Sequence, residues 1–177
     1  MPQMNNSEKG SPSDELIYSL LEHYQNGRLS DAEKLAAEIT RNFPKHEFAW
    51  KVLGVIFEAT GRKSEALNAN QTAVKLSPQD AEAHNNLGNT LKELGKLDEA
   101  EASYNQSLVL KPDYAEAHCN LGIVLHELGI LDKAEASYKQ AIVLKPDFPE
   151  AHGNLGITLQ EAGRLKEAET TYNRAIE

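Results

Sequence analysis

Three asparagines, Asn86, Asn120 and Asn154, recur at a spacing of 34 residues. A carboxamide donates and accepts hydrogen bonds at once, as a peptide group does. A row of them can therefore hold an extended backbone in both directions without reading its side chains. Asn85 and Asn89 add amides beside the row, and Ile123 and Ile157 add apolar surface. Glu82, Glu116 and Glu150 repeat the same spacing and would favour a ligand carrying some positive charge. Each also suits the first turn of a helix, where a carboxylate meets the positive end of the dipole. The plain alternative for the asparagines is a set of solvated surface residues or helix-end hydrogen bonders. Three net hydrogen bonds at about 0.5 to 1.5 kcal/mol each hold a peptide only weakly, so other contacts must contribute.

Other residue types carry less chemistry. His84, His118 and His152 share the same spacing. On stacked helices they would lie about 8 to 10 Å apart, whereas zinc ligands each sit about 2 Å from the ion. They are expected to fill a slot between helices with one ring nitrogen hydrogen-bonded, and no metal or cofactor is implied. Cys119 has no second cysteine to pair with and reads as an ordinary buried thiol. There is no phosphate loop, no nucleophile elbow and no distinctive acid-base pair. The chain as given reads as a binding surface and not as an enzyme.

What positions these residues is the repeat itself. Pro44, Pro78, Pro112 and Pro146 mark a period of 34, and Gly54, Gly88, Gly122, Gly156 and Ala32, Ala66, Ala100, Ala134, Ala168 recur with it. Self-similarity at this period predicts a stacked array of short helical units. In residues 81–114, Ala83, Leu87, Leu91 and Leu94 fall at helical spacing, and the run halts at Gly95, which can take the left-handed conformation that closes a helix. A second helix is expected from Asp98, with Asp98 as cap and Glu101 reaching back; Ser30 with Glu33 and Asp132 with Glu135 repeat that capping box. Its apolar stripe is Leu97, Ala100, Tyr104 and Leu108, and Pro112 stops it. Gly88 and Ala100 are expected where the two backbones cross closely.

These residues resemble the tetratricopeptide repeat, over residues 13–177. With each unit numbered so that its closing proline is position 32, the chain supplies the leucine at position 7 (Leu53, Leu87, Leu121, Leu155), the glycine at 8, the alanine at 20 and an aromatic at 24 (Tyr104, Tyr138, Tyr172). Position 4, usually tryptophan, is Trp50 once and histidine thereafter. The resemblance implies an all-α, right-handed superhelical solenoid of helix-turn-helix units, with a concave face built from positions 2, 5, 6, 9, 12 and 13. The asparagine row, the glutamates and His126 fall on those positions. Stacked helices lie about 8 to 10 Å apart and an extended peptide advances about 3.3 Å per residue, so one asparagine would meet roughly every third residue. The repeats are most similar to those of O-GlcNAc-transferase-type arrays, which carry such a ladder. The carboxylate clamp that some members use on heat-shock chaperones is not supported. Lys51 and Asn86 match two clamp positions, but Val55, Glu116 and Asn120 stand where further polar or basic residues belong.

The expected organisation is a disordered polar tail over residues 1–12, a degenerate unit over 13–46 with Ser19 and Leu20 in place of Leu-Gly, full units over 47–80, 81–114 and 115–148, and an incomplete one over 149–177 without a capping helix. Ser11 is a candidate cap of the first helix, with Pro12 at its first position. A net charge of −9, with 18 basic against 27 acidic residues, argues against nucleic acid. No apolar run suits a signal or a membrane span, so a cytoplasmic location is expected. The last helix leaves Leu165, Ala168, Tyr172 and Ile176 uncovered, which suggests a longer native chain, a partner, or self-association through that helix. The function expected is a scaffold that binds an extended peptide of a partner protein. The alternative is a substrate-presenting arm of a larger transferase, with its chemistry beyond residue 177.

Overall fold

Five glycines set the rhythm of the backbone. Gly27, Gly61, Gly95, Gly129 and Gly163 all adopt positive φ, between 68° and 75°, and each closes one helix and turns the chain into the next. The computed structural model describes residues 10–176, with side chains as far as Arg174. The first nine residues of the expected tail lie outside them. Among the described residues there are ten α-helices and no strand, and two compact units divide after Gln79. No helix among them is long and apolar enough to cross a membrane.

The first unit holds α1 (Asp14–Gln25), α2 (Leu29–Asn42), α3 (Glu47–Ala59) and α4 (Lys63–Leu76), each packed on the next. Ser13, and not Ser11, caps α1 by accepting from the Leu16 amide. Asp14 and Glu15 then stand in the first turn, where their charge favours the helix, so the start falls two residues later than expected. The core gathers Leu20, Ala32, Ala36, Ile39, Val52, Leu53 and Ile56. The irregularity of residues 13–46 has a steric explanation. Where later units pair glycine at position 8 with a large residue at position 24, this one pairs fully buried Leu20 with Ala36. Bulk has moved from one helix to its neighbour, and the space between them remains filled.

The second unit holds α5 (Ala81–Glu93), α6 (Leu97–Leu110), α7 (Ala115–Glu127), α8 (Leu131–Leu144), α9 (Pro149–Glu161) and α10 (Leu165–Ile176). α5, α7 and α9 line up side by side, each paired with the helix that follows it. The capping boxes do not form. α6 and α8 start at Leu97 and Leu131, with Lys96 and Ile130 as N-caps that supply no side-chain bond, and α2 starts likewise after Arg28. The glycine turn is so tight that the Lys96 amide bonds back to the Leu91 carbonyl at 2.9 Å, and the helix begins at once. Asp98 and Asp132 therefore sit inside the first turn as dipole partners. Glu33 and Glu135 are drawn away to arginines of the following turn, Arg62 at 2.9 Å and Arg164 at 2.7 Å.

The close approach at position 8 also has a different partner from the one expected. A Cβ on Gly88, Gly122 or Gly156 would first meet the ring of Tyr104, Tyr138 or Tyr172, at 2.6, 2.6 and 2.5 Å, before any atom of the alanine at position 20. The glycine makes room for the tyrosine ring. On α10, Leu165 is 65% exposed, but Ala168 is buried and Tyr172 half-buried against α9. Of the four residues expected to be bare, those two are covered from behind, and the side chain of Ile176 lies outside the described residues.

Candidate functional site

In the second unit the row of helices α5, α7 and α9 carries every expected site residue. Its first half is a closed amide network. Asn120 Nδ2 donates to Asn85 Oδ1 at 3.2 Å and to Asn89 Oδ1 at 3.1 Å, and the Tyr104 hydroxyl donates to the same Asn89 oxygen at 2.8 Å. Both donors of Asn120 are thus directed into the preceding repeat, and its carbonyl oxygen is the group left to meet a ligand. Asn85 and Asn86 are largely buried, and Thr90 Oγ donates to the Asn86 backbone carbonyl at 3.2 Å. The amides of Asn85, Asn89 and Asn120 are fixed in place by bonds within the protein, which removes rotamer freedom before anything binds.

The second half is a depression of about 140 Å³ lined by Ile123, His126, Glu127, Tyr138, Asn154 and Ile157. It joins four residues of the sequence reading, Asn154, His126, Ile123 and Ile157, with two that the reading missed, Tyr138 and Glu127. His126 Nε2 lies 3.1 Å from Glu161 Oε2, within ion-pair distance but without the alignment of a hydrogen bond. Tyr138 is 2% exposed and its hydroxyl makes no hydrogen bond to a described residue. Burial, with help from the nearby Cys119 and Glu127, holds its phenol well above the usual range, hence neutral. Cys119 sits beneath, 1% exposed; burial first, and then the Glu150 charge, push its thiol up to about 12, while the Asn154 amide offsets part of this.

The glutamates are spread over three helices. Glu82, Glu116 and Glu150 occupy the first turns of α5, α7 and α9, as a dipole role requires. Glu116 is also within 3.4 Å of Lys145 Nζ. Two of the histidines of position 4, His118 and His152, take the tryptophan's part. Trp50 Nε1 donates to the Pro44 carbonyl at 3.0 Å, and Nε2 of His118 and His152 lies 3.0 and 2.9 Å from the carbonyls of Pro112 and Pro146. A carbonyl only accepts, so these nitrogens carry the proton. Each ring ties the start of a unit to the proline that ends the one before. Among the described residues no cluster of His, Cys, Asp or Glu is arranged to hold a metal ion.

A signal for Tyr138 existed in the repeat alignment. Position 9 is Asn89 beside Tyr104 but Ile123 beside Tyr138, so the second hydroxyl loses its acceptor.

A family model described as TPR repeat matches residues 54–95, 88–129 and 124–163. No curated protein matches the chain in sequence. Among solved structures the chain is similar to MamA, with 24% identity over 88% of this chain and 91% of that one and a TM-score of 0.79. It is similar to PilW, described as a widely conserved type IV pilus biogenesis factor, with 25% identity over 93% and 77% and a TM-score of 0.83. It is also similar to YrrB, described as a TPR protein with an unusual peptide-binding site, with 18% identity over 93% and 85% and a TM-score of 0.75. With the helix pairs above, these matches establish an all-α repeat solenoid.

Proposed function

The chain belongs to the tetratricopeptide repeat family, and on that premise we propose that it is a noncatalytic interaction scaffold. It holds an extended segment of a partner protein along the face of α5, α7 and α9. Asn86, Asn120 and Asn154 meet the backbone of that segment, Asn85 and Asn89 brace them, and Glu82, Glu116, Glu150 and His126 stand along its course. The observation that supports this reading is the amide network centred on Asn120, which holds the Asn85, Asn89 and Asn120 side chains in place and leaves the Asn120 carbonyl oxygen for a ligand. The description of YrrB as a peptide binder on the same fold is in keeping with it.

The test uses a displayed random-peptide library selected on the whole chain. Enriched peptides should bind the parent and lose capture when Asn86, Asn120 and Asn154 are all replaced by alanine, while circular dichroism retains the helices. Failure to enrich any peptide, or equal capture by parent and variant, overturns the reading.

A further inference from the structure

We infer that the depression between α7 and α9 is a side-chain subsite for a cation, the lysine or arginine side chain of a bound segment. This rests on the proposed peptide-binding face and deepens it. Three tyrosines occupy equivalent places in the second unit, and two have partners: Tyr104 donates to Asn89 Oδ1 at 2.8 Å and Tyr172 to Gln160 Oε1 at 3.2 Å. Tyr138 has none among the described residues, because Ile123 and His126 stand where Asn89 and Gln160 supply the acceptors. The side chain is 98% removed from solvent and its hydroxyl lies where the surface opens into a depression, so water or a bound group must complete its hydrogen bonding.

The lining decides the occupant. Ile123 and Ile157 offer aliphatic walls, and Ile157 is 44% exposed. Glu127 lines the rim and makes no ion pair with a described residue, and Glu161 stands behind His126. No lysine or arginine lines the depression. An anionic side chain would meet two carboxylates with only His126 to offset them. A purely apolar one would seal the Tyr138 hydroxyl away from water without a partner. A lysine or arginine lays its methylene stem on the isoleucines and brings donors to the Glu127 carboxylate and to a lone pair of the Tyr138 oxygen, whose own proton is left to water. The volume, about 140 Å³, is that of a single side chain and not of a helix.

The experiment labels the isoleucine δ1 methyls with carbon-13 in the whole chain and titrates Nα-acetyl-lysine methylamide, with the norleucine and glutamate analogues as controls. The Ile123 and Ile157 methyls should shift saturably with the lysine compound and stay still with the other two. Tyr138→Phe and Glu127→Gln should each weaken the titration by about tenfold, the loss expected for one hydrogen bond to a charged group. Tyr138→Phe removes an unpartnered hydroxyl, and Glu127 is exposed, so both variants should keep the parent's fold. Equal shifts with norleucine, or variants that titrate like the parent, overturn the inference. If displayed peptides are captured while the lysine compound leaves the methyls unmoved, the subsite falls and the peptide-binding face stands. If the lysine compound titrates as expected and no peptide is captured, the peptide reading falls and the cation subsite stands by itself.

Discussion

Gly88→Ala places a methyl group against the least yielding part of the second unit. The new Cβ would lie 2.6, 2.8 and 2.9 Å from Cε1, Cδ1 and Cζ of Tyr104, closer than carbon atoms pack. The ring cannot step aside cheaply, because Tyr104 is fully buried and its hydroxyl is bonded to Asn89. Overpacking of this kind costs about 1 to 3 kcal/mol, and displacing the hydroxyl would add about 1 kcal/mol. Alanine in a helix interior returns about 0.5 to 1 kcal/mol relative to glycine. The net is a loss of about 1 to 3 kcal/mol, which for a chain of this size lowers the melting temperature by about 2 to 12 °C. Thermal unfolding followed by far-ultraviolet circular dichroism reads it. The same substitution in a Tyr104→Leu background, where the ring edge is gone, should be neutral or stabilising, so the cycle returns a coupling of about 1 kcal/mol or more. An unchanged melting temperature for Gly88→Ala in the parent, or equal losses in both backgrounds, would refute the assignment of this glycine to the tyrosine ring.

Further outcomes follow from other contacts. Ile130 and Glu101 occupy the places that Arg62 with Glu33 and Arg164 with Glu135 hold elsewhere, so Ile130→Arg should form the missing bridge. The gain, up to about 1 kcal/mol in urea unfolding, should vanish in a Glu101→Gln background; a gain of equal size there would exclude the bridge. The Glu135 carboxyl lies below its ordinary value of 4.5, chiefly through the Lys139 hydrogen bond and then Arg164, with burial opposing. A depressed carboxyl contributes stability above its unfolded pKa and loses it as pH falls through the folded one. Glu135→Gln should therefore unfold at lower urea near neutrality and converge on the parent as the pH falls below 4.5 and through the lowered folded value, whereas parallel curves would contradict this. Cys119, buried and with its thiol pushed up to about 12, should resist alkylation at pH 8 in the native chain and react readily in urea; fast native labelling would show the site to be open.

Much of the architecture was legible because a repeat states each of its rules several times. The glycine turns, the helix pairs and the alanine and tyrosine positions follow from residue spacing alone, since helical periodicity and left-handed glycine are local matters. The helix starts were not legible. Asp98 with Glu101, and Ser30 with Glu33, have capping-box spacing, but the glycine turn starts each helix earlier, and Glu33 finds an arginine 29 residues away. A capping box is a local statement, and a cross-repeat ion pair is not visible to it. The site divides in the same way. The 34-residue spacing puts Asn86, Asn120 and Asn154 at equivalent places in successive repeats, yet the bond from Asn120 to both Asn85 and Asn89 depends on how far apart α5 and α7 stack.

Residues that break the repeat are more informative than those that keep it. Leu20 and Ala36 look like decay of the motif when each is compared with its own column, where the later units have glycine and a larger side chain. Taken as a pair they conserve volume: the large residue sits on the first helix and the small one on the second, and both are fully buried. Ile123 beside Tyr138 is the opposite case. There the pair does not compensate, because the tyrosine keeps its hydroxyl after its acceptor is gone, and no other described side chain replaces that acceptor. A compensated break is what packing alone requires of a buried pair. An uncompensated one leaves the hydroxyl to water or to a bound group that can hydrogen-bond to it, as the donors of a cation can to its oxygen. By this criterion the Tyr138 depression, and not the irregular first unit, is where a departure from the repeat points to a ligand.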